Sequence, residues 1–382
     1  MSTTWFCGAI GECLSAYSID IETAHLRRKS SVQLPAWVMY VWPHPDKPLL
    51  YVVSSDGGPS GKAGELHHAS VLRFDVDSGA MTVACAPRVL PGRPIHCSLD
   101  ASGRYLLTAY NDPSAITVHP LDDDGAIGEA LAQAADVDAG VFAHQVMTTP
   151  SNCCAILVTR GNDASEAEGS HKPEQPGALK VFAFNDGTLA PRACIAPGGG
   201  YGFGPRHVDF HPNQRWVYVC VERKNQLQMF ELDADDNLAA QATFSADSLR
   251  QRRTNTLGPQ LAGAVHVHPN GHFVVQSNRT SRLLEDDTWP VSQGGENTLV
   301  VYAIDPDSGA PTPIQHVDTG SIHVRTFSFH PSGRLLIAAT IAPVPVRTAI
   351  SVCCPQRCLF IASAMMADSA LHAPMKSIRV AQ

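Results

Sequence analysis

The sequence is short of charge, and of positive charge in particular. Only 17% of its 382 residues are charged, with 28 Lys and Arg against 36 Asp and Glu, a net charge of −8. No basic stripe offsets that balance, which excludes a general nucleic-acid binder; an anionic ligand would need arginines gathered locally. Long hydrophobic runs are missing too, and nothing reaches the ~18 uncharged apolar residues of a membrane helix. The most apolar late segment, around Leu359 to Met366, is short and follows Pro355 and Arg357. Met1 to Asp20 has no basic region leading into an apolar run, so no secretory signal is expected. The chain reads as soluble and cytoplasmic, without a membrane partner. Paired CxxC zinc spacing is absent. The 11 cysteines are scattered, with clusters only at Cys153–Cys154 and Cys353–Cys354–Cys358, and read as buried thiols in a reducing compartment. Gly57–Gly58 and Gly198–Gly199–Gly200 open no helical pattern, which argues against a nucleotide loop. Long helical periodicity is lacking as well, which removes doubly wound α/β folds.

What is present is a repeat, inside a chain whose 44% hydrophobic residues can fill a large core. One phrase is a turn, often His-Pro, followed by Gly or a polar residue and an apolar strand. It appears at His44-Pro45, Asp100-Ala101, Pro150-Ser151, His211-Pro212, His268-Pro269 and His330-Pro331. A second phrase is an alternating strand that ends in an acidic or Asn residue before a turn. Leu14–Asp20, Val71–Asp75, Leu179–Asn185, Leu227–Asp233 and Leu299–Asp305 carry it, and Ile116–Val118 is a shorter instance. Period-2 alternation between Asp, Asn and Gly turns marks antiparallel hairpins. The unit of roughly 50–60 residues fits a four-stranded propeller blade with long loops.

The first instance of the second phrase has no turn phrase before it, and the last turn phrase has no partner after it. The expectation is therefore an all-β, seven-bladed β-propeller of four-stranded antiparallel blades, closed by strands from both chain ends, with the last blade incomplete. A pair of β-sandwiches is the alternative. The propeller is expected over residues 1–340. Residues 341–382 form an anomalous tail, with no alternating strand ending in an Asp/Gly turn. Either the tail is a genuine divergent closure or a frame slip near Arg347 replaces the closing strands; the abrupt loss of the repeat favours the slip, and such a chain would expose a sheet edge.

Polar residues that recur at equivalent repeat positions converge around a propeller axis. Before the turn phrase stand His96, His144, Arg206-His207, His266 and Arg325; after its strand stand Tyr110, Arg160, Glu222 and Arg279. His211, His268 and His330 belong to the turn phrase itself and read as structural. His266 and His268 form HxH and His67-His68 is a pair, yet no Asp, Glu or Cys stands at ligand spacing, so no metal is expected. Asp163 to Gln175 reads as a solvated loop.

The segments GYGFGPRHVDFHPN, VYVCVERKNQLQMFEL, QLAGAVHVHPNGHFVVQSNR and FSFHPSGRLLIAA, in that order, closely resemble the bacterial β-propeller 6-phosphogluconolactonase family and its relative, fungal 3-carboxymuconate-lactonizing enzyme. LVTRGND and GALKVFAFNDGTL fit the same family, and the resemblance covers about residues 5–340. It implies a catalytic set of His144, Arg206, Glu222 and Arg279, with His96, Arg160, His266 and Arg325 as substrate-binding candidates. It also implies a lactonase of carbohydrate metabolism without cofactor, acting on a small anionic lactone and existing as a monomer or weak homo-oligomer. The favoured substrate is 6-phospho-D-glucono-1,5-lactone of the pentose phosphate route. A carboxymuconate cycloisomerase and a non-enzymatic binding scaffold are the alternatives. The residue types suit the lactonase. His144 or Glu222 can move the protons of ester hydrolysis, with a near-neutral imidazole the better base. Arg206 and Arg279 can stabilise an oxyanion or hold an anionic group through forked donors.

Overall fold

A computed structural model describes residues 4–58, 63–167, 170–250, 259–280, 283–285, 290–292, 294–343 and 358–361. Among them there is no α-helix, only a 3-10 turn at Pro197–Gly200 and antiparallel strands. The chain divides into two units. The first is Met1–Ile19, Leu26–Arg206 and Leu232–Gln241; the second is Asp20–His25, His207–Glu231 and Ala242–Gln382.

In the first unit the earliest sheet joins Trp5–Ile10, Cys13–Asp20 and His25–Gln33. The second runs Trp37–Pro43, Leu49–Ser55, His67–Phe74 and Met81–Val83, with Arg88–Val89 added on His67–Phe74. The third runs Pro94–Leu99, Tyr105–Asn111 and Ser114–Pro120; beyond it Leu131 N donates to Val118 O, a backbone contact where a fourth strand would lie. The fourth runs Ala143–Thr148, Cys154–Thr159, Ala178–Asn185 and Thr188–Ile195. Its insertion, read from the sequence as a loop, holds a two-stranded ribbon of Ser165–Ala167 and Ser170–Lys172.

The sheets that follow, which from His207 to Glu231 and from Ala242 on belong to the second unit, repeat the plan. The fifth sheet is Pro205–Phe210, Trp216–Val221, Gln226–Glu231 and Phe244–Asp247, and the sixth is Gln260–Val267, Phe273–Thr280, Thr298–Ile304 and Pro311–Asp318. The seventh is Ser321–Phe329, Leu336–Pro343 and Cys358–Ile361. Its last strand lies in the tail, where the sequence offers no alternating strand ending in an Asp/Gly turn: Leu336 pairs with Ile361 and Ala339 with Cys358. Cys-Leu-Phe-Ile has strand propensity but no Asp or Gly turn to announce it. The rest of the tail, and with it the frame-slip expectation, lies outside the described residues.

Alternation places one apolar face of each strand pair in the core. In the first unit Leu49, Tyr51, Val53, Leu99 and Leu106 pack together; in the second, Trp216, Tyr218, Met229, Val274 and Tyr302 do. Tyr51 and Tyr218 each stand seven residues past the turn histidine, and their hydroxyls donate to Gly125 O and Gly309 O at 2.8 Å, so each buried ring keeps its polar end satisfied.

The turn histidines are latches between consecutive sheets. His44 Nε2 donates to Gly103 O at 3.2 Å, and its Nδ1 accepts the amides of Asp46 and Lys47 at 3.0 Å. His211 Nε2 reaches Gly271 O at 2.7 Å and His268 Nε2 reaches Gly333 O at 2.9 Å, with Nδ1 accepting from Asn213 N and Asn270 N. An amide can only donate and a carbonyl can only accept, so the contacts of His44 and His211 put the proton on Nε2 and a lone pair on Nδ1. Where the histidine is replaced the link survives in other chemistry: Asp100 accepts from Asn152 Nδ2 at 2.8 Å, and Thr149 donates to Asp236 at 2.7 Å. The structural reading of His211 and His268 is thereby explained.

Candidate active site

The latches give a ruler for the site. Eleven residues after the turn position, at the end of each second strand, stand Ser55, Asn111, Arg160, Glu222 and Arg279. Five residues before it stand Met39, Ile95, His144, Arg206, Gly263 and Arg325. The pairing register slips at Met39, Ile95, His144, Gly263–Ala264 and Arg325, so the first strand of five sheets bulges at the same place. A bulge inserts one extra residue into the strand and re-aims its side chain out of the alternation. His144 and Arg325 are such residues.

In the first unit His144 is buried, and Arg206 is among the largest fully buried side chains. Arg160 is half-buried, its guanidinium 4.1 Å from the centre of the Phe142 ring, a cation–π contact. His96 has no exposed surface; its ring lies 4.1 Å from that of Tyr40 and 5.9 Å from that of Trp42. Two polar pairs escaped the sequence reading. Ser55 Oγ lies 2.9 Å from His67 Nδ1, and Arg93 donates to Gly57 O at 3.2 Å and to Asn111 Oδ1 at 3.4 Å. Burial pulls the Arg93 guanidinium below the usual arginine range. The eleven-residue offset alone would have pointed to Ser55 and Asn111.

In the second unit Glu222 and Arg279 come together. Arg279 Nη2 donates to Glu222 Oε1, and the two side chains are 5% and 2% exposed, arginine first. They occupy the same register position of the fifth and sixth sheets, so sheet geometry, not sequence proximity, pairs them. His323, also unannounced by the sequence, faces Arg279 Nη1 at 2.9 Å. His266 Nδ1 is 3.5 Å from Asp209 Oδ2, and its ring meets that of Phe327 edge-on at 4.9 Å. Arg325 is exposed on its bulge. Among the described residues, no three His, Cys, Asp or Glu side chains gather as a metal site.

These arrangements can be set beside known proteins. Antiparallel meanders repeated in this way are the blades of a β-propeller. Residues 3–342 match the family described as Lactonase, 7-bladed beta-propeller, and the chain belongs to that family. Six sheets that open on the turn phrase or its equivalent are its blades; Trp5–Gln33 supplies three strands of another, and the last sheet is short of a fourth strand among the described residues. A lactone is a cyclic ester, so the family's chemistry is that of carboxylic-ester hydrolases.

The 6-phosphogluconolactonase of Pectobacterium atrosepticum is 26% identical over 309 residues, 81% of this chain and 79% of that one. That of Bacillus subtilis is 23% identical over 337 residues, 86% and 84% of the two chains. Among solved structures, the periplasmic gluconolactonase of Pseudomonas aeruginosa superposes with a TM-score of 0.66 at 20% identity, covering 100% of this chain and 98% of that one. At that identity the structural likeness speaks for the fold.

Proposed function

We propose that the chain hydrolyses the ring ester of a sugar-acid lactone, with 6-phospho-D-glucono-1,5-lactone as preferred substrate. The observation that carries this is the buried Glu222–Arg279 pair in a member of a lactonase family, at a position where the repeat places polar groups. Water adds to the lactone carbonyl as a base takes its proton. The tetrahedral intermediate then expels the ring oxygen, which is protonated to a hydroxyl, and the product is the open hydroxy acid. A carboxylate held by a guanidinium is a weak base, since proton uptake would break the pair. His144 is therefore assigned as the base and Glu222 as the anchor of Arg279. Arg206 and Arg279 are assigned to the developing oxyanion and to the anionic group of the substrate. A phosphorylated substrate places the reaction in the cytoplasm.

The test compares 6-phosphoglucono-1,5-lactone with the unphosphorylated lactone. A second charged contact predicts kcat/KM higher by about tenfold or more for the phosphorylated one, from ~1.5–3 kcal/mol for a hydrogen bond to a charged group. Equal or reversed preference, with real activity on both, removes the phosphate from the proposal and leaves the lactonase.

A further inference from the structure

Arg279 is held from two sides. Nη2 donates to Glu222, and Nη1 meets His323 Nε2 at 2.9 Å. The tautomer follows from the other ring nitrogen. His323 Nδ1 lies 2.9 Å from Thr280 O, which can only accept, so Nδ1 carries the proton and Nε2 offers a lone pair. The imidazole is thus a neutral acceptor for the arginine; a protonated ring would put two cations in contact.

The imidazole is itself fixed. His323 has φ 59°, in the left-handed region, and its N–H donates to Asn297 Oδ1 at 2.7 Å. The same oxygen accepts the Thr280 amide at 3.2 Å, and Asn297 Nδ2 donates to Thr280 Oγ1 at 3.2 Å. Thr280 follows Arg279 directly. Asn297 therefore ties the backbone beside the arginine to the residue that accepts from it.

One nitrogen of the guanidinium is left over. Arg279 Nε is buried and has no acceptor among the described residues, while the residue as a whole is 4% exposed. A buried unmatched donor, on a cation above all, costs free energy that an incoming oxygen atom would recover.

We propose that His323 is a positioning residue: with Glu222 it locks the Arg279 guanidinium so that Nε–H is offered to an anionic oxygen of the bound lactone or of its tetrahedral intermediate. The identity of that oxygen rests on the lactonase reading; the locking does not.

The experiment compares His323→Leu with His323→Gln. Neither residue favours a positive φ, so backbone strain is common to both, and their difference reads the acceptor. The leucine variant is expected to lose about 10- to 100-fold in kcat/KM, as misplacement of a reacting group does, with the glutamine variant recovering to within about fivefold of wild type. Equal loss in both, or a leucine variant as fast as wild type, overturns the proposal. A second readout is the side-chain Nε–H resonance of Arg279, assigned with Arg279→Lys. It should exchange slowly in wild type and the glutamine variant and quickly in the leucine variant; the same exchange in all three overturns the proposal. That readout holds even if wild type hydrolyses no lactone, an outcome that would sink the lactonase reading alone.

Discussion

Arg279→Lys is expected to lower kcat/KM for the lactone by about 10²–10³-fold, the usual cost of removing a transition-state donor. Lysine keeps the charge beside Glu222 but loses the planar fork, so neither His323 nor a substrate oxygen finds its donor in place. Arg279→Ala goes further, because it leaves the Glu222 carboxylate buried and unpaired. Breaking a buried pair from one side costs about 3–5 kcal/mol, whereas removing both charges costs less than the sum. Denaturant midpoints of Arg279→Ala, Glu222→Ala and the double variant check this. Additive losses would mean that the two groups do not interact in solution.

The second large effect concerns the latches. A Cβ on Gly333 would lie 2.4 Å from His268 Cε1, and the backbone there has φ 70°. Gly333→Ala must adopt a left-handed conformation and push the ring off the carbonyl it donates to, a loss of about 2–4 kcal/mol from strain and hydrogen bond together. Gly103, with φ 67° against His44, is the same device in the first unit. An unchanged denaturation midpoint for Gly333→Ala would show that the latch does not hold the seventh sheet.

The turn histidines also carry a pH signature. Burial first, and then the Lys47 charge, lowers the proton affinity of His44 below its ordinary 6.5; burial and Arg334 do the same for His330. These rings are easier to protonate in the unfolded chain, so their contribution is full above about pH 6.5 and is lost as the pH falls towards the lower folded values. Turn aspartates such as Asp75 and Asp305, held down by hydrogen bonds to Ser78 and Ser308, add their loss only below the ordinary carboxylate value of 3.8. Acid softening of the fold therefore comes in two separate ranges.

Much of this was legible in the residues. The turn phrase predicted the second strand of six sheets, because Asp, Asn, Gly and Pro state the turn chemistry locally while alternation states the strand. Glu222 and Arg279 were found as recurring polar residues at strand ends, and the structure pairs them. His323 was not legible: its part depends on a positive φ and on Asn297, 26 residues away, and neither leaves a mark in a periodic pattern. The same holds for the bulges at His144 and Arg325. One extra residue in a strand is invisible until its partner is known. The aromatic neighbours of His96 and His266, Tyr40 and Phe327, are likewise set by packing between strands and leave no mark in the repeat. The strand Cys358–Ile361 went unseen because no turn signal frames it.

The most direct test is the hydrolysis of freshly generated 6-phosphogluconolactone by the purified chain, followed against the lactone's spontaneous opening in the same buffer. A rate that rises in proportion to protein, and that falls at least about a hundredfold with Arg279→Lys, is the predicted result. A folded wild-type chain that leaves the spontaneous rate unchanged would contradict the account.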